Sequence, residues 1–128
     1  MTADLTLLVW ATALTLVQAM IAAFGALLQV GLMPLAGNRE NLPPIEGWAG
    51  RAQRAHRNML ENFVLFAALV LVAQVTGKAN ATTALGAELF FWARLVYVPV
   101  YLVGIPHLRT VVWLVSVIGL TMIFVQLV

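Results

Sequence analysis

Residues 51–61 read Arg51-Ala52-Gln53-Arg54-Ala55-His56-Arg57-Asn58-Met59-Leu60-Glu61 and lead directly into an apolar run, Asn62 to Thr76. At about 100° per residue, Arg51, Arg54, Arg57, Asn58 and Glu61 fall within roughly 120° of one another on a helix. The segment therefore carries one polar face. The apolar run behind it is shorter than the about 20 residues a helix needs to cross a hydrocarbon core. The charged turns are accordingly expected to lie partly inside a membrane.

Composition points the same way. Apolar residues make up 62% of the 128-residue chain and charged residues only 9%, against about 25% charged in a soluble domain. The bilayer is the natural solvent for such a chain. The net charge is only +2, and the basic residues lie beside or within apolar segments, so the basic balance does not indicate nucleic acid. With no cysteine, disulfides, thiolate metal sites and a cysteine nucleophile are excluded. The two histidines have no metal-ligand spacing, and no glycine-rich nucleotide loop or serine triad is present.

Working outward from residue 51, Leu5 to Asn38 contains no charged residue, and Leu5 to Met33 is long enough to span with tilt. Its stretch is longer than a signal-peptide core and no basic residue precedes it, so it reads as a retained first span. Pro34 is expected to end it. The stretch Pro34 to Gly47, with Pro43-Pro44 and Arg39, Glu40 and Glu46, reads as an exposed loop. A second span is expected from Trp48 to Thr76 with Gly77 as its stop, a third from Thr82 to Val103, and a fourth from Pro106 to Val128. The expectation is an all-α integral membrane four-helix bundle forming one domain, with helices over 5–33, 48–76, 82–103 and 106–128. Arg39, Arg51, Arg54, Arg57 and Arg109 cluster around the first and third connections, and only Lys78 marks the second. The positive-inside rule then puts the first and third loops in the cytoplasm and both termini outside.

Three constellations could carry chemistry. On the 51–61 face, arginine forks match carboxylates and Glu61 matches an ammonium, so the face suits a zwitterionic or anionic ligand; equally, Arg51 and Arg57 could reach lipid headgroups while Arg54 pairs with Glu61. Arg94, Tyr97 and Tyr101, spaced i, i+3, i+7, lie within about 60° of arc. They are either a pocket wall with hydroxyl donors or an interfacial aromatic belt. Arg109-Thr110 opens the fourth helix, where backbone N–H groups and the helix dipole favour an anion. A thiolate there would be stabilised and made a better nucleophile; the alternative is a topological arginine. For Glu88, off the Arg94 face, the partners considered are Lys78 or a neighbouring subunit.

Taken together, Arg51-x-x-Arg54-Ala55-His56-Arg57-Asn58-x-x-Glu61 before an apolar span, Arg94-x-x-Tyr97-x-x-x-Tyr101 and the late Arg109-Thr110 resemble the MAPEG family, the membrane-associated proteins in eicosanoid and glutathione metabolism. The resemblance covers nearly the whole chain. It implies a homotrimer that binds glutathione as co-substrate between subunits near the cytoplasmic side. The positions matching Arg54, Asn58, Glu61, Tyr97 and Tyr101 would contact the tripeptide, with Arg51, Arg57 and Arg94 in the same basic set. Arg109 would lie near the sulfur, with Thr110 beside it. The implied activity is transfer of glutathione to lipophilic electrophiles from the bilayer, with peroxidase action a companion. The competing class is a non-catalytic protein holding a lipid or small anion in the same groove. Where family members often carry an arginine at the end of the first span, this chain has Gly31-Leu32-Met33-Pro34, and Arg39 is the nearest basic residue able to take its place.

Overall fold

Each helix starts and stops where the chain supplies a cap or a breaker. In the computed structural model, which describes residues 1–128, the elements are α1 (Ala3–Val30), α2 (Leu32–Ala36), α3 (Gly47–Val75), α4 (Ala81–Val103) and α5 (Pro106–Leu127). The Thr2 side chain accepts the Leu5 N–H to cap α1. Asn80 and Thr83 form a reciprocal capping box at α4, with Thr83 N–H to Asn80 Oδ1 at 2.9 Å and Asn80 N–H to Thr83 Oγ1 at 2.8 Å. Pro106 occupies the start of α5, where its missing N–H costs nothing.

One expected boundary moves. The first span ends at Val30, not at Pro34, because Gly31 adopts φ +84°, in the left-handed region that glycine enters without a Cβ penalty. Pro34 instead sits inside the short α2, within the first turn, where no backbone donor is required. At the other connections Gly77 and Gly104 adopt φ +69° and +87° and stop α3 and α4 as terminal glycines do. Pro99 lies inside α4, and the helix continues through it.

α1 packs on α3 and α5 on α4, and contact between α3 and α4 joins the two pairs. Glycine makes both close crossings possible. A Cβ on Gly119 would sit 2.5 Å from the Gly86 carbonyl oxygen, and one on Gly25 would sit 2.6 Å from the Ala49 Cβ. The core between the pairs holds Met59, Phe66, Val70, Phe90, Leu120 and Ile123, with the Phe66 and Phe90 rings stacked 4.1 Å apart.

Polar groups close the ends. Lys78 Nζ donates to the Leu127 carbonyl at 3.0 Å and Asn80 Nδ2 to Gln126 Oε1 at 2.8 Å, tying the α3–α4 turn to the end of α5. Lys78 is therefore committed there, and Glu88 instead accepts from its neighbour Trp92 Nε1 at 3.1 Å. At the opposite end the Gln29 side chain pairs with the backbone of Glu46, donating to its oxygen at 2.6 Å and accepting its N–H at 3.0 Å.

Four helices, α1, α3, α4 and α5, are each long and apolar enough to cross a membrane. Only 28 of 128 residues are buried, and large apolar side chains such as Leu16, Val64, Leu85 and Val125 cover the outside of every long helix. That surface suits hydrocarbon, where helices satisfy their own backbone groups. The chain is an integral membrane protein. At 1.5 Å per residue, α3 is about 43 Å long, more than the roughly 30 Å hydrocarbon core, and is long enough to span with tilt.

Candidate functional site

Sequence spacing predicts one polar face on α3, and the structure divides it in two. Arg54, Arg57, Asn58 and Glu61 turn toward α4 and α5. There they meet Tyr97, Tyr101 and Arg109 around a pocket of about 310 Å³. The tyrosines reach it because they lie one turn apart on α4 and pack over the small Ala55, with ring centroids 5.5 Å apart. Both are nearly buried, at 4% and 8% exposure, so they form a wall of this pocket more than a lipid-facing belt. Arg109, in the first turn of α5, lays its guanidinium over the Tyr101 ring at 4.8 Å.

Three predicted residues do not line this pocket. Arg51, at the edge of the arc, donates its Nε to the Leu102 carbonyl at 2.8 Å. That oxygen lies in the last turn of α4, which has no helical partner, so Arg51 caps α4 and braces the turn leading to Arg109. The Thr110 hydroxyl turns back to the Pro106 carbonyl of its own helix at 3.4 Å. Arg94 lies beneath the pocket, 1% exposed, with its guanidinium 4.1 Å from the Tyr97 ring centre.

Arg94 acts through Asn58. Its Nη1 donates to Asn58 Oδ1 at 2.8 Å, and Asn62 Nδ2 donates to the same oxygen at 3.3 Å and to the Asn58 carbonyl at 2.8 Å. A guanidinium only donates, so the amide atom facing it must be the oxygen. The Asn58 NH₂ is thereby left for the pocket as a donor. Arg94 has no carboxylate partner, and its Nε and Nη2 are buried without one. A buried positive charge of this kind favours anions in the space above it.

The pocket thus presents guanidiniums, an amide and two phenols as donors against one carboxylate, Glu61. It suits a ligand rich in carboxylate or carbonyl oxygens that carries a single ammonium. Sequence reasoning missed an apolar groove further along α3 and α5. Asn62, Leu65, Leu69, Trp113, Leu120 and Phe124 line a space of about 610 Å³ between α3 and α5. Trp113, one turn beyond Arg109, is the sequence signal that could have located it. No cluster of metal-ligating side chains exists.

The fold and site define a class: a four-span helical membrane protein with a basic, polar pocket at one end of the bundle. The model of the MAPEG family matches residues 5–128, and the chain belongs to that family, the membrane-associated proteins in eicosanoid and glutathione metabolism. Neither the curated proteins nor the solved structures contain a match to the chain.

Proposed function

We propose that this chain is a membrane-bound glutathione transferase, with glutathione peroxidase activity as a companion reaction. The observation that carries the reading is the meeting of Arg54, Arg57, Asn58, Glu61, Tyr97, Tyr101 and Arg109 around one pocket. Glutathione has two carboxylates for the guanidiniums, one ammonium for Glu61 and carbonyls for the Asn58 amide and the phenols. Its thiol is directed to the Arg109 end, where a guanidinium and the start of α5 favour the thiolate.

The apolar groove holds the electrophile, which enters from the bilayer. The thiolate forms a carbon–sulfur bond with the electrophilic carbon. From an aryl halide the halide departs with the bonding electrons, and the thiol proton goes to solvent. Arg109 lowers the cost of the anion on which the attack depends.

The active unit is proposed to be a homotrimer with the pocket between subunits. Arg54, Arg57 and Glu61 are exposed on the isolated chain, and charges beside a span normally face protein or water. The loops bearing Arg39 and Gly104 are assigned to the cytoplasm, with both termini outside, on the positive-inside distribution.

The test is turnover of 1-chloro-2,4-dinitrobenzene with glutathione by the purified chain, alongside its melting temperature with and without glutathione. Conjugation and glutathione-dependent stabilisation are expected. Absence of both overturns the reading, and stabilisation without turnover makes the chain a binding protein. A monodisperse monomer that still binds glutathione would remove the intersubunit placement.

A further inference from the structure

The side of α4 turned away from the polar pocket carries a charge that the fold leaves unanswered. At about 100° per residue, Glu88 stands about 180° round the helix from Tyr97, and so on the far side from that pocket. Between residues 85 and 96 the exposed side chains of α4 are Leu85, Glu88, Trp92, Leu95 and Val96. They form one stripe within about 100° of arc. Glu88 lies about 10 Å along from Ala81 in a helix about 35 Å long, which puts it inside an apolar layer of about 30 Å.

A carboxylate at that depth normally faces the bundle interior or water and has a partner. Glu88 is exposed and has no basic one. Its Oε2 accepts the Trp92 Nε1–H at 3.1 Å. Lys78 is held by the Leu127 carbonyl at 3.0 Å, and Arg94, the other charged residue of α4, is buried beneath the pocket. The bond to Glu88 fixes the edge of the indole beside the carboxylate, while Trp92 stays 55% exposed, so its ring face is open to the bilayer. Phe91 meets that ring edge-on at 5.2 Å. Further along the same side, Pro99 is exposed and has no N–H to give to the Leu95 carbonyl, a second acceptor without its helical donor.

A carboxylate, a free carbonyl dipole and an open indole face, set among apolar side chains with no cation of the chain opposite them, match a lipophilic cation. An indole face attracts a cation within about 6 Å of its centre, and more strongly where water is excluded. We propose that Glu88 and Trp92 form a bilayer-facing site for a hydrophobic organic cation, an aryl phosphonium or a quaternary ammonium with apolar substituents. Glu88 supplies the counter-charge, Trp92 the aromatic face, and Leu85, Leu95 and Val96 the apolar surround. A partner helix fits the stripe less well, because helices in a bilayer pack through small residues that let backbones approach, and this stripe presents leucines, a valine and a tryptophan. The site does not depend on glutathione, since the body of α4 separates it from the polar pocket.

Equilibrium dialysis of tetraphenylphosphonium against the purified full chain in detergent tests the site, with tetraphenylborate, of the same shape and opposite charge, as the control. Saturable binding of the phosphonium and not of the borate is expected. Glu88→Gln, a change of charge and not of size at an exposed position, should raise the phosphonium dissociation constant at least tenfold. Trp92→Leu should raise it several-fold, and Trp92→Phe should recover most of that loss. Glu61→Gln, on the polar pocket, and saturating glutathione should both leave it unchanged. Absence of saturable phosphonium binding, equal saturable binding of the borate, equal affinity in Glu88→Gln, or a loss in Glu61→Gln in place of Glu88→Gln overturns the proposal. The mass of the assembly should be the same for the wild type and Glu88→Gln; a lower subunit number in the variant gives the stripe to a second copy of the chain and overturns the cation site. Failure of glutathione to bind while the phosphonium still does overturns the transferase reading alone.

Discussion

The two ends of the bundle solve opposite problems with different residues. Around Gly86 and Gly119 the helices approach until backbone nearly touches backbone, and the stacked Phe66 and Phe90 fill what remains. Around Asn58, Tyr97 and Arg109 the same helices are held apart by long polar side chains, and a pocket of about 310 Å³ results. In hydrocarbon, apolar side chains gain little by leaving lipid for protein, so close packing of small residues must hold helices together. Between α4 and α5, glycines set a close crossing towards one end, and towards the other arginine and tyrosine side chains leave room for a pocket.

That contrast can be broken at either end. The largest effect is expected at the tight end. Gly119→Leu places a side chain against the Gly86 oxygen and the Phe90 nitrogen, 2.5 and 2.9 Å from its Cβ, and should cost about 3 kcal/mol of stability. Gly37→Ala, whose Cβ would meet only ordinary contacts at 3.6 and 3.9 Å, should stay within about 0.5 kcal/mol. Thermal unfolding in one detergent compares them, and similar midpoints would refute the crossing as the main clamp.

At the open end, Arg94→Met should behave in the reverse sense. It frees the Asn58 amide, so glutathione affinity should fall by about 2 kcal/mol, the scale of a hydrogen bond to a charged group. Stability should hold or rise, because a buried charge with two unpartnered nitrogens is gone. A lowered melting temperature with intact affinity would make Arg94 a structural residue only.

Arg109→Ala sharpens the division inside the pocket. The pKa of bound glutathione thiol should rise by about one unit, or roughly 1.4 kcal/mol of lost thiolate stabilisation, with affinity little changed. Ultraviolet thiolate absorbance followed against pH measures it. Lost affinity without a pKa shift would make Arg109 another carboxylate anchor. A smaller loss than at the glycine crossing is expected at the capping box, where Asn80→Ala should lower stability by about 1 kcal/mol and leave glutathione binding untouched.

The helices were legible because a span must be long and apolar, and the pocket because a 100° step places Arg54, Asn58 and Glu61 on one side of α3. What could not be read depended on partners remote in sequence. Arg51 lies on the same arc as Arg54, but the Leu102 carbonyl draws it away. Arg94 shares an arc with Tyr97 and Tyr101, yet only the depth of its burial makes it a support for Asn58 and not a lining residue. Pro34 is the stronger breaker on paper, but Gly31 precedes it and can adopt a positive φ, so the chain turns there first. His56 and Gln53, off the polar face, line a cleft beside α1 that the spacing of the 51–61 arc does not reveal.

The pairing of Gln29 with Glu46 has a consequence in polymer terms. Two hydrogen bonds at 2.6 and 3.0 Å clasp residues 17 apart in sequence, turning the intervening chain into a closed ring whose ends are fixed whatever its contour length. The entropy of closing such a ring grows only logarithmically, by about 0.6 kcal/mol per doubling. An insertion in this segment therefore costs little closure entropy, while the register of α1 against α3 stays where Gly25 and Ala49 hold it.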